Sequence, residues 1–269
     1  MNAEDLVRRQ RFGLWLDGRP GLHNADEAEA FLAEVGVAMR YGATDSLPLA
    51  SLYRATQRHT PETEDEKAAH ARAFDLTNEL LACGDGVEIT VVAGRVGLAH
   101  ARLMPAIYAL RRNGREPELS PDARSAFDLI SAELGASAGD VRRHLGAVGQ
   151  PRPDAADVAL GELQRDLVVD RGPSSTPKQG IFYLSKEGYP YRVFAVAHPD
   201  VLAAAGKLDR GQAADRLLSA HLAAAVFAAP GKLATMFREL LTREEIDGWL
   251  SSAGLDRARV GRSEVFVRR

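Results

Sequence analysis

The stretch that decides the fold is SPDARSAFDLISAELGASAGDVRRHLG, residues 120–146, with its continuation QPRPDAADVALGELQRDLVVDRG, residues 150–172. Ser120 is placed to cap a helix and Pro121 suits its first position. Ala123, Phe127, Ile130 and Leu134 then recur on one face. Ser137 with Asp140 spells a capping box for a short second helix, Ala138 to Leu145. Asp154 caps a third helix running to Leu167, with Ala156, Leu160, Leu163 and Leu167 inward. LVVD (167–170) and IFYLS (181–185) read as two strands about a long polar tip. Three short helices followed by a strand pair are the order of a winged helix, so residues 120–184 are expected to form one.

The flanks extend this pattern unequally. On the C-terminal side, Gln212 to Phe227 is helical, Pro230 starts a second helix to Leu240, and Thr242 with Glu245 boxes a third. ARVGRSEVFVRR then offers a short strand pair, so a second, curtailed winged helix is expected. On the N-terminal side the reading is four helices and a hairpin. The helices are Glu4 to Leu16, Asp26 to Val35, one opened by Pro48, and a long one capped by Thr60, with Pro61 at its first position, that stops at Gly84. The hairpin pairs Val87–Val92 with Val96–Leu103 around Ala93 and Gly94. The stretch RRNGREPE, 111–118, reads as a linker.

The chain has 269 residues, 45% hydrophobic and 26% charged, which suits about two ordinary domains. It contains no apolar run of the ~20 residues that a membrane span needs. Cys83 is the lone cysteine, which excludes an internal disulfide framework and any multi-cysteine zinc site. Together with a charged N-terminus these features lead to the expectation of a cytoplasmic protein without membrane contact. The net charge of −3 means that any grip on nucleic acid requires cations gathered on one face.

Such cations occur around the expected wing. Arg171, Ser174, Ser175 and Lys178 lie at its tip, Arg142 and Arg143 on the second helix, and Gln164 and Arg165 on the third. These eight are the candidate DNA contacts, since phosphate oxygens take cations and short donors. Against them stand Asp154, Asp157, Glu162, Asp166 and Asp170, so a module that docks on protein instead remains open. Arg8, Arg9 and Arg11 form a smaller cluster, read as a solvated helix face or a phosphate contact. The seven histidines lack metal-ligand spacing, and His221, on the edge of an apolar stripe, is read as hydrogen-bonded and partly buried. Cys83 reads as structural, and Asp85 and Glu88 as exposed turn acids; no pair earns a catalytic assignment and no cofactor is implied.

Leu119-Ser120 with Ala123, then VRRHLG (141–146) and LGELQ (160–164), resemble the winged-helix DNA-binding proteins of the AlkZ-like interstrand-crosslink DNA glycosylase family. The text EAEAFLAEVGVAMRYG and VEITVVAGRVGLAHARLMPAIYAL is similar to the same group. The resemblance implies tandem winged helices around duplex DNA. It also implies a Gln-x-Gln or Gln-x-Asp pair that assists hydrolysis, falling near residues 35–41, and a C-terminal β-barrel. This sequence reads VGVAMRY there, without Gln or Asp, and no barrel is expected within its 269 residues.

The expectation is therefore a helix-rich α+β fold. Residues 1–116 form an N-terminal helical region with a β-hairpin, 117–200 a winged helix and 201–269 a second, curtailed one. The leading function is non-catalytic DNA binding, linked to repair or regulation. A divergent DNA glycosylase and a protein-interaction module are the alternatives.

Overall fold

Helix α1 (Ala3–Gly13) is capped by Asn2, whose side chain accepts the Asp5 N–H. In the computed structural model, the described residues are 2–42, 47–57, 66–112, 114–174 and 188–268. After α1, one order of elements recurs three times: helix, strand, helix, helix, strand, strand. The first copy runs α2 (Ala25–Val35), β1 (Val37–Met39), β2 (Ala50–Ser51), α3 (Leu52–Gln57), α4 (Glu66–Cys83), β3 (Gly86–Ile89) and β4 (Gly97–His100), with β2 as an extra strand. Helix α5 (Met104–Arg112) leads to the second copy: α6 (Pro121–Ala132), β5 (Ala136–Ser137), α7 (Ala138–His144), α8 (Ala155–Arg165), β6 (Val169–Arg171) and β7 (Pro190–Val193). Short helices α9 (Phe194–Ala197) and α10 (Pro199–Ala205), absent from the sequence reading, connect to the third. That copy is α11 (Arg210–Ala225), β8 (Phe227–Ala228), α12 (Pro230–Phe237), α13 (Arg243–Ser252), β9 (Asp256–Val260) and β10 (Ser263–Val267).

The sheets repeat too. Their orders are β2-β1-β4-β3, β5-β7-β6 and β8-β10-β9. In each, the first strand of the copy pairs antiparallel with the last, and the last with the middle one. The turn into the first strand repeats as well: Gly36, Gly135 and Val226 precede β1, β5 and β8 with φ of 73°, 135° and 64°. Glycine adopts such angles at little cost, whereas β-branched Val226 does not. Val226 is held there because its N–H donates to the Leu222 carbonyl and its carbonyl accepts from Arg268 N–H. The fold is thus helix-rich α+β, as the periodicities implied, and the first copy has the same order where only helices and a hairpin were expected.

Several local expectations hold to the residue. Ser120 caps α6, Ser137 and Asp140 form the capping box of α7, and Thr242 and Glu245 that of α13. Others shift. Pro48 does not open a helix, because Ala50 and Ser51 extend to pair parallel with Ala38 and Met39, and α3 begins only at Leu52. The strand that pairs with β6 is Pro190–Val193, while the expected partner at 181–185 and the Thr60–Pro61 cap lie outside the described residues.

Side chains from 119 to 193 close a core of their own, built on Ala123, Ile130, Val141, Leu160 and Leu163. A larger core joins the first copy, through Val87 and Ile89, and α5, through Ile107, to the third copy, through Leu217, Phe237 and Ile246. The β3–β4 loop is tied into that union, with Ala93 N–H donating to the Met236 carbonyl at 2.7 Å.

His221 sits inside this region, edge-on to Phe237 at 5.4 Å between ring centroids. It is buried, and contrary to the sequence reading its Nε2 has no hydrogen-bond partner among the described residues. Burial lowers its pKa from 6.5 to about 4. Above pH 6.5 neither state holds the proton; below it the unfolded chain protonates and the folded chain does not until about pH 4. Folding stability should therefore fall across that window, by roughly 3 kcal/mol for a shift of this size. Urea unfolding at pH 7 and pH 4.5 should show this decline shrinking in His221→Leu; an unaltered pH dependence would refute the assignment.

Candidate nucleic-acid interface

Residues 37–39 enter the first sheet as a fully buried strand, and the next residue, Arg40, turns its side chain into the space between the first and second copies. There its Nη1 donates to Glu88 Oε2 at 2.9 Å. Glu88 stands on β3, between Val87 and Ile89, and the alternation of that strand would direct it to solvent. It is 4% exposed, because β3 packs against β6 of the second copy and both of its faces are covered. From β6, Arg171 is 0% exposed and donates Nη1 to the same Glu88 oxygen at 2.8 Å. Its Nη2 donates to Asn78 Oδ1 at 2.8 Å, and Gln164 reaches Glu88 Oε1 at 3.4 Å.

Aromatic rings surround these guanidiniums. Arg171 lies 4.0 Å from the ring centroid of Tyr189, and Arg40 lies 5.0 Å from that of Tyr41 and 5.2 Å from that of Phe74. Phe74 and Tyr189 stack at 6.1 Å, and His70 lies between Tyr41 and Tyr53 at 5.3 and 4.2 Å. Tyr41, His70, Phe74 and Tyr189 are each partly exposed. Burial alone would lower the Arg40 pKa, but Glu88, with Tyr189 and Tyr41, holds it above its ordinary value. Burial likewise pushes Tyr41 up. The arrangement can present flat apolar faces backed by fixed positive charge, the pairing that nucleotides recognise.

The eight expected DNA contacts separate. Arg142, Gln164 and Arg171 are buried: Arg142 donates to Asp154 at 2.6 Å and to Asp157 at 2.8 Å, and the other two converge on Glu88. At 0–7% exposure none of these three side chains can touch a phosphate directly. Arg143 and Arg165 are exposed, the former pairing with Asp140. Ser174 is half-buried and donates its N–H to Asn78 Oδ1 at 3.0 Å. Ser175 and Lys178 lie outside the described residues.

The acids of the third helix are also accounted for. Asp154 and Asp157 form the α8 capping box and bind Arg142. Glu162 accepts from the Ser120 N–H and hydroxyl, both at 2.7 Å, and Asp166 binds Arg111. Asp170 is bound by Arg192 and His198; burial would raise its pKa, yet these two partners hold it below the ordinary range. The outward stripe of α8 is left as Val158, Gly161 and Arg165.

Elsewhere, Arg8 and Arg11 pair with Asp5 and Asp17 on the surface. Cys83 is exposed rather than buried, and partial desolvation together with Asp85 keeps its thiol above the usual range. No three His, Cys, Asp or Glu side chains gather as a metal site among the described residues, and no described helix is long and apolar enough to cross a membrane.

Among solved structures, the DNA glycosylase AlkZ of Streptomyces sahachiroi superposes with a TM-score of 0.59 at 14% identity, covering 99% of this chain and 70% of that one. The fold is similar to that of AlkZ. At this identity the likeness concerns the backbone; no family model and no curated protein sequence matches. The stretch 35–41, where the resemblance places a polar pair, here ends α2 and forms β1, and its charged side chain is Arg40.

Sequence reasoning took Glu88 for an exposed turn acid, whereas it is a buried strand residue, and it missed Arg40, Phe74 and Tyr189. The one local sign was a carboxylate set between Val87 and Ile89, a polar position in a strongly β-forming run. Replacing Glu88 with Gln should leave two buried guanidiniums without a counter-charge, costing about 3–5 kcal/mol. Urea denaturation measures this, and a change below about 0.5 kcal/mol, as for an ordinary surface substitution, would show that the pairs do not hold the seam.

Proposed function

We propose that this protein binds DNA, through three copies of a winged-helix unit. The observation that carries the reading is the outward face of α8: Val158, Gly161 and Arg165, with every carboxylate of the helix and its flanks bonded inward. A third helix of this kind can approach a groove closely, since glycine adds no bulk and the nearest acids already have cationic or capping partners. Arg143 and Arg165 make the phosphate contacts, joined by Ser174, Ser175 and Lys178 at the wing. Arg142, Gln164 and Arg171 act from beneath as scaffold. Units divide near residues 116 and 200, a reading supported by the separate core of residues 119–193. The backbone likeness to AlkZ, a DNA glycosylase, adds support from outside the chain.

Anisotropy titration of a labelled duplex at several salt concentrations tests this reading. Arg143→Glu and Arg165→Glu should each weaken binding across sequences and lower the slope of log K against log salt by about one unit. A flat slope for the unaltered protein would sink the reading. Unchanged DNA affinity in both variants would favour docking on protein instead.

A further inference from the structure

The node at the seam is unbalanced. Two buried guanidiniums, Arg40 and Arg171, share the one carboxylate of Glu88, which leaves a positive charge in excess among the described groups. Each also keeps an Nε–H with no acceptor among the described residues. Excess charge in a low-dielectric interior is unfavourable unless an anion comes near, and its field reaches further there than in water. Over the node stand the partly exposed rings of Tyr41, His70, Phe74 and Tyr189. The excess charge selects an anion, and the rings select a flat aromatic group.

We propose that this cluster seats an unpaired nucleotide of a DNA strand. The base stacks against the Phe74–Tyr189 pair, and its phosphate is drawn by the Arg40–Glu88–Arg171 charge. In an intact duplex both faces of a base are covered by its neighbours, so protein rings can stack only on a base that is single-stranded, bulged or displaced. The site therefore distinguishes unpaired from paired DNA, whereas Arg143 and Arg165 meet the backbone of either. This inference rests on the DNA-binding reading and goes further by naming the form of DNA.

Three probes of equal length separate the two ideas: a duplex, the same duplex with one central unpaired nucleotide, and a single strand. The protein should bind the second and third more tightly than the first. Phe74→Leu should lose affinity for the unpaired probes by about five- to 150-fold, the range for one base–aromatic stack, with duplex binding unchanged. Phe74→Tyr, which restores a ring, should retain affinity. If the duplex binds and unpaired probes gain nothing, the nucleotide seat is wrong and the DNA reading stands. If no probe binds at low salt, both fall. A readout independent of folding in the variants is 2-aminopurine at the unpaired position: seating exchanges its stacked DNA neighbours for the protein rings and should change its emission on binding the unaltered protein, and unchanged emission overturns the proposal.

Discussion

Glu88 is the group on which the assembly of this chain depends. A single carboxylate takes Arg40 from the end of β1, Arg171 from β6 and Gln164 from α8. The first and second copies of the repeated unit are thereby joined by charge at their seam. Buried ion pairs contribute little net stability over an apolar equivalent, but losing one partner is costly. Loss of Glu88 would therefore leave both guanidiniums buried without a counter-charge at that seam. The rings of Tyr41, Phe74 and Tyr189 are positioned by the same guanidiniums.

The second copy shows how a chain of net charge −3 can offer a surface to DNA. Its acids are placed at helix starts and against specific cations. Asp154 and Asp157 satisfy the first turn of α8 and hold Arg142, and Glu162 closes onto the cap of α6. Carboxylates near a helix start also complement its dipole. The same residues that make α8 look acidic in the sequence are therefore part of its capping and packing, and Arg165 is left on the outside.

Much of the fold was legible because it is written in local chemistry. The Ser120, Ser137 and Thr242 caps sit where their spacing to the next polar residue required. The first copy of the element order was hidden because β1 and β2 have only three and two residues, too short for an alternating pattern to register. Of the site, exposed Arg143 and Arg165 follow from helix position alone. The burial of Arg142 and Arg171 does not, since a cation one turn from a carboxylate looks the same whether water or a second domain covers it.

By itself, then, the sequence determined the helix starts, the apolar faces and the helix-rich α+β class, all consequences of hydrogen bonds and periodicities spanning a few residues. Only the tertiary structure decided which charges remain at the surface. Glu88 is separated from Arg40 by 48 residues and from Arg171 by 83. Such partners meet only when two packed units exclude water from the seam between them, and it is that exclusion that turns three ordinary surface-type side chains into a buried, partly unbalanced cluster.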